Sequence, residues 1–181
     1  NYLEKNGGGE VKIYPGTYDI QVPIEVPSNV TVSGFYKATK LEPSFTTKED
    51  SAVLRHLGTE EKRGEGIVIK NLLIGKEGVG ESYVGWRGIF LKYVGGTEKI
   101  GEEEKALKPS VISDCYVVGN NSYGIYLDNS SNNSVTGNTF SGNKGNGIYL
   151  INSRCNIIMG NEVGLSGIRL GDSSNNNTVT G

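Results

Sequence analysis

A four-residue phrase recurs in the C-terminal part of this chain. It reads Gly124-Ile-Tyr-Leu127, Gly147-Ile-Tyr-Leu150 and Gly167-Ile-Arg-Leu170, at intervals of 23 and 20 residues. A second phrase falls between the copies, Ser134-Val-Thr-Gly-Asn138, Ile157-Ile-Met-Gly-Asn161 and Thr178-Val-Thr-Gly181, so a whole unit repeats. A fixed period of about 22 residues is the mark of a solenoid, and it is too short for helix-pair repeats. Within each unit, alternating triplets such as Ile125-Tyr-Leu127 are separated by Asn, Ser and Gly clusters. These clusters favour tight turns and left-handed backbone. Each unit therefore reads as short strands joined by sharp turns, stacked about 4.8 Å apart into parallel sheets. The expected fold is an all-β, right-handed parallel β-helix with rungs of about 22 residues.

Strand alternation assigns the faces. Ile125, Ile148 and Ile168 form one inward column, Leu127, Leu150 and Leu170 a second, Val135, Ile158 and Val179 a third, and Val117, Phe140 and Val163 a fourth. Asn138 and Asn161 fall in register at a turn and predict a ladder of side-chain amides. Cys115 aligns with that ladder and Cys155 with Asn132 and Asn176, so the two cysteines lie in different columns and are expected unpaired. Traced backwards, the first phrase recurs as Gly88-Ile-Phe-Leu91 and Gly66-Ile-Val-Ile69. The wider interval from Gly88 to Gly124 implies an insertion at 94–108, and a second excursion is expected at 37–65. Residues 1–181 are read as a single domain.

The N-terminal stretch Gly7-Gly-Gly-Glu-Val-Lys-Ile-Tyr-Pro-Gly-Thr-Tyr18, followed by Pro23-Ile-Glu-Val-Pro-Ser-Asn-Val-Thr-Val-Ser-Gly34, resembles the opening rungs of the pectate-lyase-like right-handed β-helix superfamily. The C-terminal units are similar to the short repeats of NosD-like, carbohydrate-binding and sugar-hydrolase β-helix proteins. The resemblance implies a polysaccharide partner, with lyases, hydrolases, epimerases and phage tailspikes among the members. The catalytic motifs of these families are absent: the chain has no adjacent aspartates and one histidine, His56, outside a Gly-His-Gly context.

If the chain is an enzyme, it would be a polysaccharide lyase or glycoside hydrolase. Calcium-assisted β-elimination needs clustered carboxylates to hold the cation and a base to take a proton next to the uronate carboxylate. Glu102, Glu103 and Glu104 can supply the carboxylates and Arg87 or Lys92 the base. The competing reading of that acidic run is a solvated loop. For binding, the outward column Phe90, Tyr126, Tyr149 and Arg169, with Trp86 beside it, offers apolar ring faces to sugars and a cation to an acidic substituent. The same rings also serve as cross-strand packing partners.

Other partners are disfavoured. A net charge of −2 with dispersed Lys and Arg gives no basic stripe for nucleic acid, and no apolar run is long enough to span a bilayer. No Cys or His spacing suits zinc, and one Met with one His gives no copper cluster, so calcium is the single cofactor considered. Several Asn-x-Ser/Thr triplets, such as Asn29-Val-Thr31, are compatible with an extracellular or cell-surface protein. The repeat runs up to Gly181, which predicts either a longer chain or homo-oligomerisation through open solenoid ends. The functional expectation is an extracellular polysaccharide-binding and possible polysaccharide-degrading protein, with a non-catalytic structural or adhesive solenoid as the alternative.

Overall fold

The computed structural model describes residues 5–45, 50–78, 87–120 and 122–181. Its strands stack as the repeat predicts, in two parallel sheets and a small hairpin. The first sheet has ten strands in two rows. One row runs β1 (Gly9–Lys12), β4 (Val30–Pro43), β6 (Val68–Gly75), β10 (Val111–Ser113), β13 (Ser134–Thr136), β16 (Ile157–Met159) and β18 (Thr178–Thr180). The other holds β2 (Gly16–Ile20), β11 (Tyr116–Val118) and β14 (Thr139–Ser141), and the long strands β4 and β6 take part in both. The second sheet has six strands in the order β17 (Ile168–Leu170), β15 (Ile148–Ile151), β12 (Ile125–Asp128), β7 (Arg87–Lys92), β5 (Ala52–Leu57) and β3 (Ile24–Glu25). Strands β8 (Thr97–Ile100) and β9 (Glu103–Ala106) pair antiparallel and project from the solenoid. The excursion expected at 37–65 is narrower than predicted, because 37–43 stay in β4 and 52–57 form β5.

Apolar columns run through the interior in strict register. Val32, Ile69, Ile112, Val135 and Ile158 are paired rung to rung in the first sheet, as are Leu54, Ile89, Ile125 and Ile148 in the second, and every one of these side chains is buried. Burying each such aliphatic side chain stabilises the fold by about 1.5–3 kcal/mol. The outward partners can then vary freely in polarity, which is what frees the surface for a site.

The glycine of the repeated phrase has a steric cause. A Cβ on Gly124 would lie 2.6 Å from the Gly147 carbonyl oxygen and 2.6 Å from Phe140 Cδ1, and one on Gly88 would lie 2.6 Å from Val117 Cγ1. The chain enters the second sheet against the rung below, where no side chain fits.

Turns are closed by side chains in ladders. The Asn138 backbone N–H and its Nδ2 both donate to Asn161 Oδ1 at 3.0 Å, and Cys115 N–H donates to Asn138 Oδ1 at 3.0 Å. A second amide ladder joins Asn133, Asn156 and Asn177, a third joins Asn120 to Asn143, and Ser130, Ser153 and Ser174 form a hydroxyl ladder. These bonds satisfy backbone groups that parallel pairing leaves open at the corners.

Candidate functional site on the second sheet

Register in the second sheet builds one outward column, Glu25, Arg55, Phe90, Tyr126, Tyr149 and Arg169, with Lys92 opposite Asp128 two residues further along their strands. Side chains on this face are therefore set one rung apart, by backbone pairing alone.

The aromatic members stack. Phe90 and Tyr126 have ring centroids 5.0 Å apart, Tyr126 and Tyr149 5.3 Å, and Tyr123 lies against both tyrosines at 5.3 and 4.8 Å. Cations close the row at each end. The Arg87 guanidinium sits 4.4 Å from the Phe90 centroid and 4.6 Å from that of Tyr126, and the Arg169 guanidinium 5.1 Å from Tyr149. Such contacts are favourable because the ring face carries negative quadrupole density. Burial pushes the Tyr126 phenol up to about 12, reinforced by the nearby Asp128 carboxylate and opposed by Arg87.

Beside the rings is a charged cluster. Lys92 Nζ lies 4.0 Å from Asp50 Oδ2 and 3.9 Å from Asp128 Oδ2, and Arg87 Nη1 lies 3.9 Å from Asp50 Oδ1. Arg87 is nine-tenths buried, and among the described residues its Nε and Nη1 find no hydrogen-bond partner. Burial lowers its pKa, against the pull of Tyr126 and Asp50. Arg55 joins the cluster through Glu25 and the Asp50 carbonyl.

The structure thus brings together Arg87, Lys92, Phe90, Tyr126, Tyr149 and Arg169 on the second sheet, whereas the acidic run belongs to the β8–β9 hairpin, a sheet of its own. Glu103 and Glu104 lie in exposed β9, and Glu104 lines a depression with Glu60, Glu61, Arg63 and Lys99. Phe90 occupies its expected place in the column, but it is fully buried beneath Arg87 and Tyr126 and presents no face to a ligand. Trp86 lies outside the described residues. Among the described residues no three His, Cys, Asp or Glu side chains converge as a metal ion requires.

Sequence reasoning missed Tyr123, Asp50, Arg55 and Asp128. Asp128 was accessible to it, since Gly88-Ile-Phe-Leu-Lys92 aligned on Gly124-Ile-Tyr-Leu-Asp128 sets opposite charges on adjacent rungs. Asp50 carries no such signal, because it arrives from outside the periodic strands. A separate polar groove of about 530 Å³ runs along a turn edge past Arg63, Asn129, Asn132, Asn152 and Arg154. It is open and lacks exposed rings.

Comparison with known proteins agrees with this architecture. Residues 96–181 match the family described as right handed beta helix region. No curated protein sequence matches the chain. Among solved structures, ORF18 of Geobacillus virus E2 is similar at 16% identity and a TM-score of 0.59, over 93% of this chain and 33% of that one. A protein described as a candidate glycosyl hydrolase from Parabacteroides merdae ATCC 43184 is similar at 15% identity and a TM-score of 0.62, over 99% and 84%. The A-module of the mannuronan C-5 epimerase AlgE6 from Azotobacter vinelandii is similar at 14% identity and a TM-score of 0.50, over 97% and 50%. The chain spans a third of the length of the Geobacillus virus protein and half that of the epimerase module. Residues 96–181 match that family by sequence, and over its described length the chain has the right-handed parallel β-helix fold that these solved structures share.

Proposed function

We propose that the outer face of the second sheet binds a polysaccharide outside the cell or at its surface. The observation that carries this reading is the row Tyr123, Tyr126 and Tyr149, half-buried and held between Arg87 and Arg169. Rings spaced by the rungs of a parallel sheet match a ligand that is itself a repeating chain, and Arg169 and Lys92 can pair with acidic substituents. The similar Parabacteroides protein is described as a candidate glycosyl hydrolase and the Azotobacter protein as a mannuronan epimerase, and both support this ligand class by fold analogy.

A second, catalytic reading has its own observation: Lys92 lies between the carboxylates of Asp50 and Asp128, next to a buried Arg87 whose Nε and Nη1 have no hydrogen-bond partner among the described residues. This arrangement sets an amine between two carboxylates, the kinds of group that proton transfer uses. It replaces the acidic run Glu102 to Glu104 as the place to look for bond cleavage.

The test is an array of neutral and acidic polysaccharides probed with the purified chain. Each hit is then incubated with and without calcium and followed by ultraviolet absorbance of unsaturated uronates and by new reducing ends. Binding alone supports a recognition surface, and binding with products adds the catalytic reading. Silence across the array leaves a structural or adhesive solenoid.

A further inference from the structure

The corner between the two rows of the first sheet is turned on successive rungs by residues in the left-handed region. Asn71, Asp114, Gly137 and Gly160 do this at φ between 53° and 65°. All four are residue types that tolerate the conformation. The rung above them breaks the pattern. There β4 shifts register on both sides of Tyr36, and the residue with positive φ, at 52°, is that tyrosine. A bulky side chain in this region is strained, and bulges of this kind re-aim side chains.

What the bulge presents is aromatic and exposed. Tyr14 is 68% exposed, Phe35 41% and Tyr36 40%. Tyr14 and Phe35 stack at 6.0 Å. The group is held from below by buried Thr39, whose Oγ1 accepts from Phe35 N–H at 3.0 Å and donates to the Ile13 carbonyl at 3.2 Å. Lys12 Nζ lies 5.2 Å from the Phe35 centroid, and Lys37 Nζ lies 5.9 Å from that of Tyr36 and 3.7 Å from that of Tyr116. Among the described residues neither lysine has an ion pair. The carboxylate of Glu10, on the same strand as Lys12, accepts a hydrogen bond from Ser33.

We infer that Tyr14, Phe35 and Tyr36, with Lys12 and Lys37, form a second glycan platform that takes a saccharide unit carrying an acidic group. The rings would stack on the apolar face of the sugar, and the two ammonium groups, which have no ion pair among the described residues, would neutralise its charge. Strain at Tyr36 fits a residue kept for what it contacts, because Asn, Asp or Gly closes the same corner without it. The inference takes its ligand class from the polysaccharide reading above, but its residues belong to a different sheet.

Binding of polygalacturonate and of neutral dextran is measured by titration for the wild type, a Tyr14→Ala/Phe35→Ala variant, a Lys12→Gln/Lys37→Gln variant, Tyr36→Asn and Arg169→Ala. The proposal predicts that both double variants bind polygalacturonate about 3–30-fold more weakly, that the lysine contribution vanishes at high salt, and that dextran binds less well than polygalacturonate. It also predicts that Tyr36→Asn raises the urea midpoint while weakening binding, an outcome that a purely structural tyrosine would not give. If the double variants bind as wild type while Arg169→Ala is impaired, the corner platform is wrong and the second-sheet reading stands. The reverse pattern keeps the corner and removes the second sheet. Failure of the wild type to bind polygalacturonate, or a concentration-dependent dimer lost in Tyr14→Ala/Phe35→Ala, overturns the corner proposal.

Discussion

Asn138 donates twice to one acceptor: its backbone N–H and its side-chain Nδ2 both reach Asn161 Oδ1 at 3.0 Å. Its own Oδ1 accepts from Cys115 N–H and its Nδ2 also reaches the Ile112 carbonyl, so one buried side chain serves three rungs. Asn138→Ala leaves the buried Cys115 N–H and Ile112 carbonyl short of partners. The expected loss is about 2–5 kcal/mol, read as a lower urea midpoint with an unchanged slope. Asn161→Ala, at a less buried position, should cost less.

Gly124→Ala is a second stability test. Its Cβ would meet the Gly147 carbonyl and the Phe140 ring, and neither the backbone below nor a packed ring can yield freely. A loss of about 1–3 kcal/mol is expected. Ala at Gly160, where nothing lies within 4 Å of the added carbon, meets no neighbour and carries only the strain of a φ of 62°. It should cost less.

Tyr126 gives a pH signature. Its phenol is raised by burial to about 12 from an ordinary value of 10. Between those values the unfolded chain ionises and the folded chain does not. The contribution is therefore complete below pH 10 and is lost as pH rises through about 12. Denaturation midpoints should fall over this window, and Tyr126→Phe should flatten the decline.

The cysteines should differ sharply toward a thiol reagent. Both are free, but Cys115 is fully buried and its thiol is pushed up to about 12, whereas Cys155 is exposed. Labelling of the native protein is expected to be fast at one site, absent in Cys155→Ser, and doubled only on unfolding.

The repeat made the architecture readable because inward columns must stay apolar on every rung, and that constraint writes itself into the sequence. The Asn138 and Asn161 ladder was legible for the same reason. The Ser130 to Ser153 ladder was not, since serines abound in the turns and only hydrogen-bond geometry singles those out. In the site, Tyr126, Tyr149 and Arg169 followed from period and face. Phe90 did not, because the period gives the direction of a side chain and not what lies on top of it. Asp50 enters the site from a segment outside the regular strands, and the corner at Tyr36 lies where β4 breaks the period.

If the tyrosine row between Arg87 and Arg169 contacts polysaccharide, removing its members must weaken binding. The array's tightest-binding polysaccharide is titrated against the wild type, Arg169→Ala and Tyr149→Ala, with urea midpoints measured alongside. We predict affinity losses of about 3–10-fold for Tyr149→Ala and of similar size for Arg169→Ala, with the exposed Arg169 variant keeping the wild-type midpoint. Wild-type affinity in both variants would move recognition off this face.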